Sequence, residues 1–271
     1  MTGAVDAIAG RVVWITGASS GIGRGLAVAL AARGARLVLS GRNADALADV
    51  AAQCSGARVE AFEATDLDAL PAVVARVEAA TGGIDWLVNN AGISQRSLAL
   101  DTDFAVYRTL MEVDFFAPLR LTQLVLPAMV VRRGGRIINN ASVAGKVGSP
   151  LRTGYCAAKH ALVGWSDALR AEIAQYGVIV HVLTPGFVAT AIGANALTGD
   201  GRPKGAGDDP VDGGITTAQA ADQIIAGITA GEPEIPVGRA GAAEMQLLGL
   251  KAQDPARLFA TMAAMAPVVA R

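Results

Sequence analysis

The stretch RVVWITGASSGIGRGLAVALAARG, residues 11–34, sets the architecture of the chain. Residues 11 to 16 form an apolar run of strand length, and the Ala/Leu-rich segment after the glycines has helical composition and stops at Gly34. Strand, glycine turn and helix in this order leave unpaired backbone amides at the helix N-terminus, where a phosphate group can bind. Gly17, Gly21 and Gly23 permit a tight turn, close approach of the backbone to a pyrophosphate and close helix packing, with Ser19, Ser20 and Ile22 between them. The spacing is G-x-x-x-G-x-G rather than the commoner G-x-G-x-x-G, so the motif alone is either a phosphate cradle or a tight connection.

Working outward, strands and helices alternate. ARLVLSGRN (35–43) is a second strand ending at Gly41 and Arg42. In a dinucleotide-binding fold this strand end meets the adenosine ribose, and an acidic residue there accepts from the 2'-hydroxyl. A guanidinium suits a 2'-phosphate instead, which points to NADP(H) rather than NAD(H); the alternative is a solvated surface arginine. A helix over 44–53 and a short strand over 57–62 lead to Asp66, at a strand end where it is either a site residue or a helix N-cap. After a helix over 67–80 comes IDWLVNNAG (84–92), a buried strand whose turn, Asn89 to Gly92, admits a flat ligand. A long helix is expected over 103–131, a strand over 135–142 that delivers Ser142, and a helix over 153–176. A sixth strand from Val178 runs into a Pro-Gly turn, with His181 in its interior as a core residue.

Tyr155 and Lys159 lie four residues apart on that helix and so share one face. An unperturbed tyrosine ionises near pH ~10, and a fixed positive charge beside it lowers that value. The pairing also arises by chance in many helices. Here, however, Ser142, Tyr155 and Lys159 all fall at the carboxyl edge of the sheet, where open parallel sheets bind ligands.

The segment 191–214 is rich in Gly, Asp and Pro and reads as a flexible loop at the same edge, either a substrate lid or a disordered connector. A helix over 217–230, a strand over 234–238 and a helical tail over 240–271 complete the chain, and Met245, Met262 and Met265 in the tail read as core or subunit contacts. No repeat or linker divides residues 1–271, so a single α/β domain is expected.

Composition excludes several functions. With 52% hydrophobic residues, 17% charged residues and a formal net charge of -1, the chain has no basic stripe for nucleic acid. Thr122, Gln123 and Pro127 interrupt the most apolar helical stretch, so no membrane span is expected. MTGAVDAIAGR lacks a basic start followed by an apolar run, so no secretory signal is expected and the location is cytoplasmic. Cys54 and Cys156 are the only cysteines and His160 and His181 the only histidines, without metal-ligand spacing, so neither a metal nor a disulfide frame is expected.

TGASSGIG at Thr16–Gly23, NNAG at Asn89–Gly92, Ser142, YCAAK at Tyr155–Lys159 and PGFVAT at Pro185–Thr190 together resemble the short-chain dehydrogenase/reductase family along essentially the whole chain. The resemblance implies a three-layer Rossmann-type fold with a seven-stranded parallel sheet of order 3-2-1-4-5-6-7. It implies a homodimer or homotetramer whose 103–131 and 153–176 helices pack between subunits. Tyr155 would be the general acid or base, Lys159 would lower its pKa and hold the nicotinamide ribose, and Ser142 would orient the substrate oxygen. Asp66 and Leu67 would contact adenine, and Asn90, Ala91 and Gly92 would lie under the ribose and the cofactor's centre. Pro185, Gly186, Val188 and Thr190 would form the nicotinamide turn. One position departs from the pattern: Asp114, in VDFFAPL, stands where the family usually has a catalytic asparagine acting through its backbone carbonyl. A carboxylate there would oppose the effect of Lys159 on Tyr155. The function implied is an NADP(H)-dependent interconversion of a small-molecule carbonyl and a secondary alcohol, set against a non-catalytic dinucleotide sensor or scaffold. Pocket walls are expected from 93–98, 143–152 and 187–215, where Arg96, Arg152 and Phe187 are either substrate contacts or solvated and packed residues.

Overall fold

The structure, a computed structural model, describes residues 8–267. The stretch carrying the leader reading therefore lies mostly outside the described residues, as do the last residues of the expected tail. Seven parallel strands form one sheet of order β3-β2-β1-β4-β5-β6-β7, the order that the resemblance implies. They are β1 (Val12–Thr16), β2 (Arg36–Ser40), β3 (Arg58–Val59), β4 (Trp86–Asn89), β5 (Gly135–Asn140), β6 (Val178–Pro185) and β7 (Glu234–Val237).

The central strands are buried on both faces, as apolar runs without polar alternation require. Successive side chains then enter two separate cores. Val13 and Ile15 of β1 join Leu37, Leu39 and Val88 in one, packed under α1 (Gly21–Ala31) and α7 (Thr217–Ala230). Trp14, Val38, Leu87 and Ile137 join the other, with side chains of α3 (Leu70–Thr81), α5 (Ala117–Arg132) and α6 (Thr153–Ile173). On the side of the first core α2 (Ala44–Ala51), whose Leu47 and Val50 join that core, links β2 to β3. The tail folds back as α8 (Ala243–Gln253) and α9 (Pro255–Ala264).

Three boundaries differ from the sequence expectation. Helix α3 starts at Leu70 rather than near 67, because the Asp66 carboxylate accepts from the Ala69 amide (3.2 Å) in a turn that precedes the helix. Ladder pairing in the third strand is confined to Arg58 and Val59, although the extended chain stays attached through Phe62 N–H to the Gly41 carbonyl (3.1 Å). The third is the long helix, which comprises α4 (Phe104–Met111), a π-helical turn over Glu112–Phe116, and α5. Pro118 has no N–H to donate to the Asp114 carbonyl, so the regular bonding pattern fails at that point.

The continuous helical run Phe104–Arg132, 29 residues, is long and apolar enough to cross a bilayer by length and composition, contrary to the reading from Thr122, Gln123 and Pro127. Leu121, Val125 and Met129 of this run are buried in the second core.

Candidate active site

The ends of β1, β4, β5 and β6 open onto one continuous cavity of about 850 Å³, running from Gly41 and Arg42 at one end to Arg96 and Tyr155 at the other. Thr16, the last residue of β1, ties the strand ends together. Its hydroxyl accepts from the backbone amides of Asn90 (3.0 Å) and Ala91 (3.1 Å), and Asn140 donates from Nδ2 to Asn90 Oδ1 (2.9 Å).

At the β1–α1 turn the residues present fit a dinucleotide phosphate. Ser20 is the N-cap of α1 but its side chain makes no capping bond, so first-turn amides face a cavity lined by Ser19, Ser20, Gly21 and Ile22. Gly17 has φ +63, and a Cβ there would stand 2.8 Å from the Ala91 Cα, so the approach of these two turns requires glycine. Gly23 lies just behind, closed against the Gly17 carbonyl and outside the lining. At the adenosine end Arg42 is 76% exposed and stands 3.8 Å from a Glu63 carboxylate oxygen. Glu63, with Phe62 and Ala64, lines the cavity. Asp66 and Leu67 do not: Asp66 is committed to its own turn, and Leu67 packs toward the second core.

At the other end Ser142, Tyr155 and Lys159 come together. Lys159 Nζ lies 5.8 Å from the Tyr155 ring centre, donates to the Asn140 carbonyl (2.9 Å), and is 3.3 Å from Asp114 Oδ1. Ser142 Oγ accepts from the Ala144 amide (3.1 Å), which fixes the hydroxyl at the end of β5. Gln95 Oε1 accepts from the Gly154 amide (2.8 Å), anchoring the first turn of the helix that carries Tyr155. The Asn90–Gly92 turn and Pro185, Gly186, Val188 and Thr190 complete the wall around this end.

Asp114 is fully buried behind Lys159 and outside the lining. Its Oδ1 also accepts from the Ile93 amide (3.1 Å), and a Cβ at Gly92 would stand 2.6 Å from that oxygen. Burial pushes the Asp114 carboxyl up from the usual range, while the Lys159 charge and the Ile93 amide pull it back. Tyr155 is affected in turn. The resemblance implies that Lys159 brings its pKa down, yet here it is raised: burial is the largest cause, and Asp114 adds to it against the opposing effects of Lys159, Ser142 and Arg152.

The 191–214 segment is folded onto this end of the cavity. Leu197 bridges to Gln95 and to Pro203, and Val188 to Ile215. Arg96 grips Asp209 through Nε (2.9 Å) and Nη2 (3.1 Å), a pair with side-chain exposures of 11% and 3%. From the tail, Met262 and Met265 line the cavity and help to form the wall of the site, while Met245 packs at Gly186 and Gly238. Periodicity in the tail marked only an apolar helix; its destination depends on the turn between α8 and α9.

The sequence pattern of the family described as short chain dehydrogenase matches residues 11–200. The chain belongs to the short-chain dehydrogenase family. A short-chain dehydrogenase/reductase relative from Xenopus tropicalis, family member 7B, is 36% identical over 265 residues, which is 94% of this chain and 85% of the relative. A short-chain dehydrogenase structure from Streptomyces avermitilis superposes with a TM-score of 0.79 at 29% identity, over 95% of this chain and 98% of that one. A Burkholderia cenocepacia short-chain dehydrogenase crystallised in complex with NADP gives 0.79 at 27% identity, over 94% and 98%. This short-chain dehydrogenase is thus an oxidoreductase by family, with the family's parallel sheet.

Proposed function

We propose that this chain interconverts a small-molecule carbonyl compound and a secondary alcohol with NADP(H), using Tyr155 as the proton donor and acceptor. The observation that carries the reading is the convergence of Ser142, Tyr155 and Lys159 on one wall of a cavity that also takes in the glycine turn before α1 and, at its other end, Arg42. Bound there, the nicotinamide group supplies or accepts the hydride.

The chain's own groups have separate tasks. Ser142, held by the Ala144 amide, donates its proton toward the substrate oxygen and fixes that oxygen beside Tyr155. In reduction Tyr155 protonates the oxygen as negative charge develops on it, and in oxidation the phenolate takes the proton back. Lys159 stabilises the phenolate through its positive charge, and its bonds to the Asn140 carbonyl and Asp114 keep it from swinging away. The apolar walls keep water from competing for the proton.

Support for the phosphorylated cofactor comes from Arg42 at the adenosine end and from the NADP-bound Burkholderia relative. Glu63 opposes it at 3.8 Å from the guanidinium, so the preference rests on Arg42 turning from Glu63 to the 2'-phosphate. Phe104 and Val131, exposed on the α4–α5 run, support packing between subunits of a homodimer or homotetramer.

The test is a screen of ketones and alcohols with NADPH or NADP, followed by absorbance, with Tyr155→Phe as the control. This variant should lose at least about 10²–10⁴-fold in turnover while still binding NADPH. Turnover that survives the substitution would sink the assignment of Tyr155.

A further inference from the structure

The cavity beyond Tyr155 is walled largely by apolar side chains, among them Ile93, Val147, Ile192 and Leu247, yet two guanidinium groups open onto it. Arg96 is fully engaged. Besides its two bonds to Asp209 it donates to Ser94 Oγ (2.9 Å) and to the Gln95 carbonyl (2.8 Å). Arg152 differs: among the described residues no hydrogen bond or ion pair reaches its guanidinium, although the residue is half-buried and lines the cavity.

The carboxylate whose field reaches Arg152 is Asp209, and it is already spent on Arg96, on the Val211 amide (3.2 Å) and on Lys204 (3.7 Å). Glu244, which also lines the cavity, accepts from the Phe187 amide (3.5 Å). Arg96 and Lys204 therefore share Asp209, which leaves Arg152 without a paired carboxylate among the described residues. Burial and the nearby Arg96 both act against the charge on Arg152, while the fields of Tyr155 and Asp209 favour it; an anion seated on the guanidinium would offset the remaining cost. The root of the side chain is fixed as well. Leu151 is held in the left-handed region (φ 65), its carbonyl accepts from the Ser97 amide (3.0 Å), and Arg152 then caps α6 three residues before Tyr155.

We propose that the substrate carries an oxyanion, a carboxylate or a phosphate monoester, which Arg152 receives while the substrate's carbonyl group faces Tyr155 and Ser142. The proposal rests on the reductase reading and narrows its substrate class to anionic carbonyl compounds with an apolar body. A planar guanidinium can bind either oxyanion through two parallel bonds, which fixes orientation as well as affinity.

The probes are 4-acetylbenzoate, its uncharged methyl ester and 4-acetylphenyl phosphate. Binding to the full-length NADP-loaded protein is measured by calorimetry, and turnover with NADPH by absorbance. At least one anion should bind about tenfold or more tightly than the ester, and the tighter of the two identifies the oxyanion. In Arg152→Gln that preference should fall to within about twofold, Arg152→Lys should recover part of it, and NADP affinity should stay within about twofold of the parent. Equal binding of ester and anions to the parent, an equal loss of both in Arg152→Gln, or a preference that survives that substitution overturns the proposal. Anion preference without turnover would leave the anion site standing and remove the reductase reading. Turnover without anion preference would do the reverse.

Discussion

Replacing Arg96 with methionine should loosen the 191–214 segment without unfolding the sheet. The substitution keeps an apolar stem but removes bonds to both Asp209 oxygens, to Ser94 and to the Gln95 carbonyl. Asp209 would remain 3% exposed with only the Val211 amide at 3.2 Å and Lys204 at 3.7 Å. Breaking one side of a buried ion pair costs about 3–5 kcal/mol, because the abandoned charge stays desolvated. The segment can relieve that cost by opening and hydrating Asp209, so the energy should appear as local opening. At about 1.4 kcal/mol per decade, the open population should rise by roughly 10²–10³-fold or more.

Limited trypsin digestion at Lys204, with hydrogen exchange over the segment, reads this opening directly. The double substitution Arg96→Met with Asp209→Leu should return cleavage most of the way to the parent rate, since the buried charge is then gone and Lys204, left behind, can reach solvent. The pair is also acid-sensitive. Burial opposes the Asp209 charge, but the bonds from Arg96 and Val211 overcome it and hold the carboxyl below its ordinary value. A depressed folded pKa gives stability that is complete above the unfolded value of about 3.9 and is lost as pH falls through the folded value. The Tm advantage of the parent over the double variant should therefore shrink only below about pH 4. Cleavage at Lys204 that is unchanged in Arg96→Met would refute the argument.

Two further substitutions test the cofactor end and the buried carboxylate. Arg42→Ala should weaken NADPH by about 5–30-fold, the value of a largely solvated charge-assisted contact, and leave NADH within about twofold; equal weakening measured by fluorescence titration would show that the arginine does not read the 2'-phosphate. Asp114→Asn preserves an acceptor for the Ile93 amide but removes the charge that raises Tyr155, so activity should persist and the alkaline limb of the pH–rate profile should move to lower pH. An unchanged profile would show that Asp114 does not contribute to the field at Tyr155.

Residues 11–34 determine a phosphate-binding βα unit because the information is local: a doubly buried apolar strand, glycines that admit a close turn, and a helix whose first amides have no partner. The serine, tyrosine and lysine are legible for the same reason. A strand end and one helix face place them, and both follow from short-range spacing. Their assembly with Asp114, in contrast, needs Lys159 packed against a helix that Pro118 has locally widened.

Contacts that close over long sequence distances were decided only by the tertiary structure. Glu63, which no local pattern marked, faces Arg42, and the cavity wall here comes from Phe62, Glu63 and Ala64 rather than from the Asp66 and Leu67 expected at the adenine, because the chain after β3 stays extended past its two paired residues and turns later. Arg96 meets Asp209 across 113 positions, and neither residue carries a local signal of the other. The direction of the Tyr155 shift is likewise a property of the whole fold. A lysine four residues away is visible in sequence, but the burial that outweighs it is contributed by every element closing over the site. Hydrogen-bond spacing is written in neighbouring residues, whereas desolvation exists only once distant segments have excluded water.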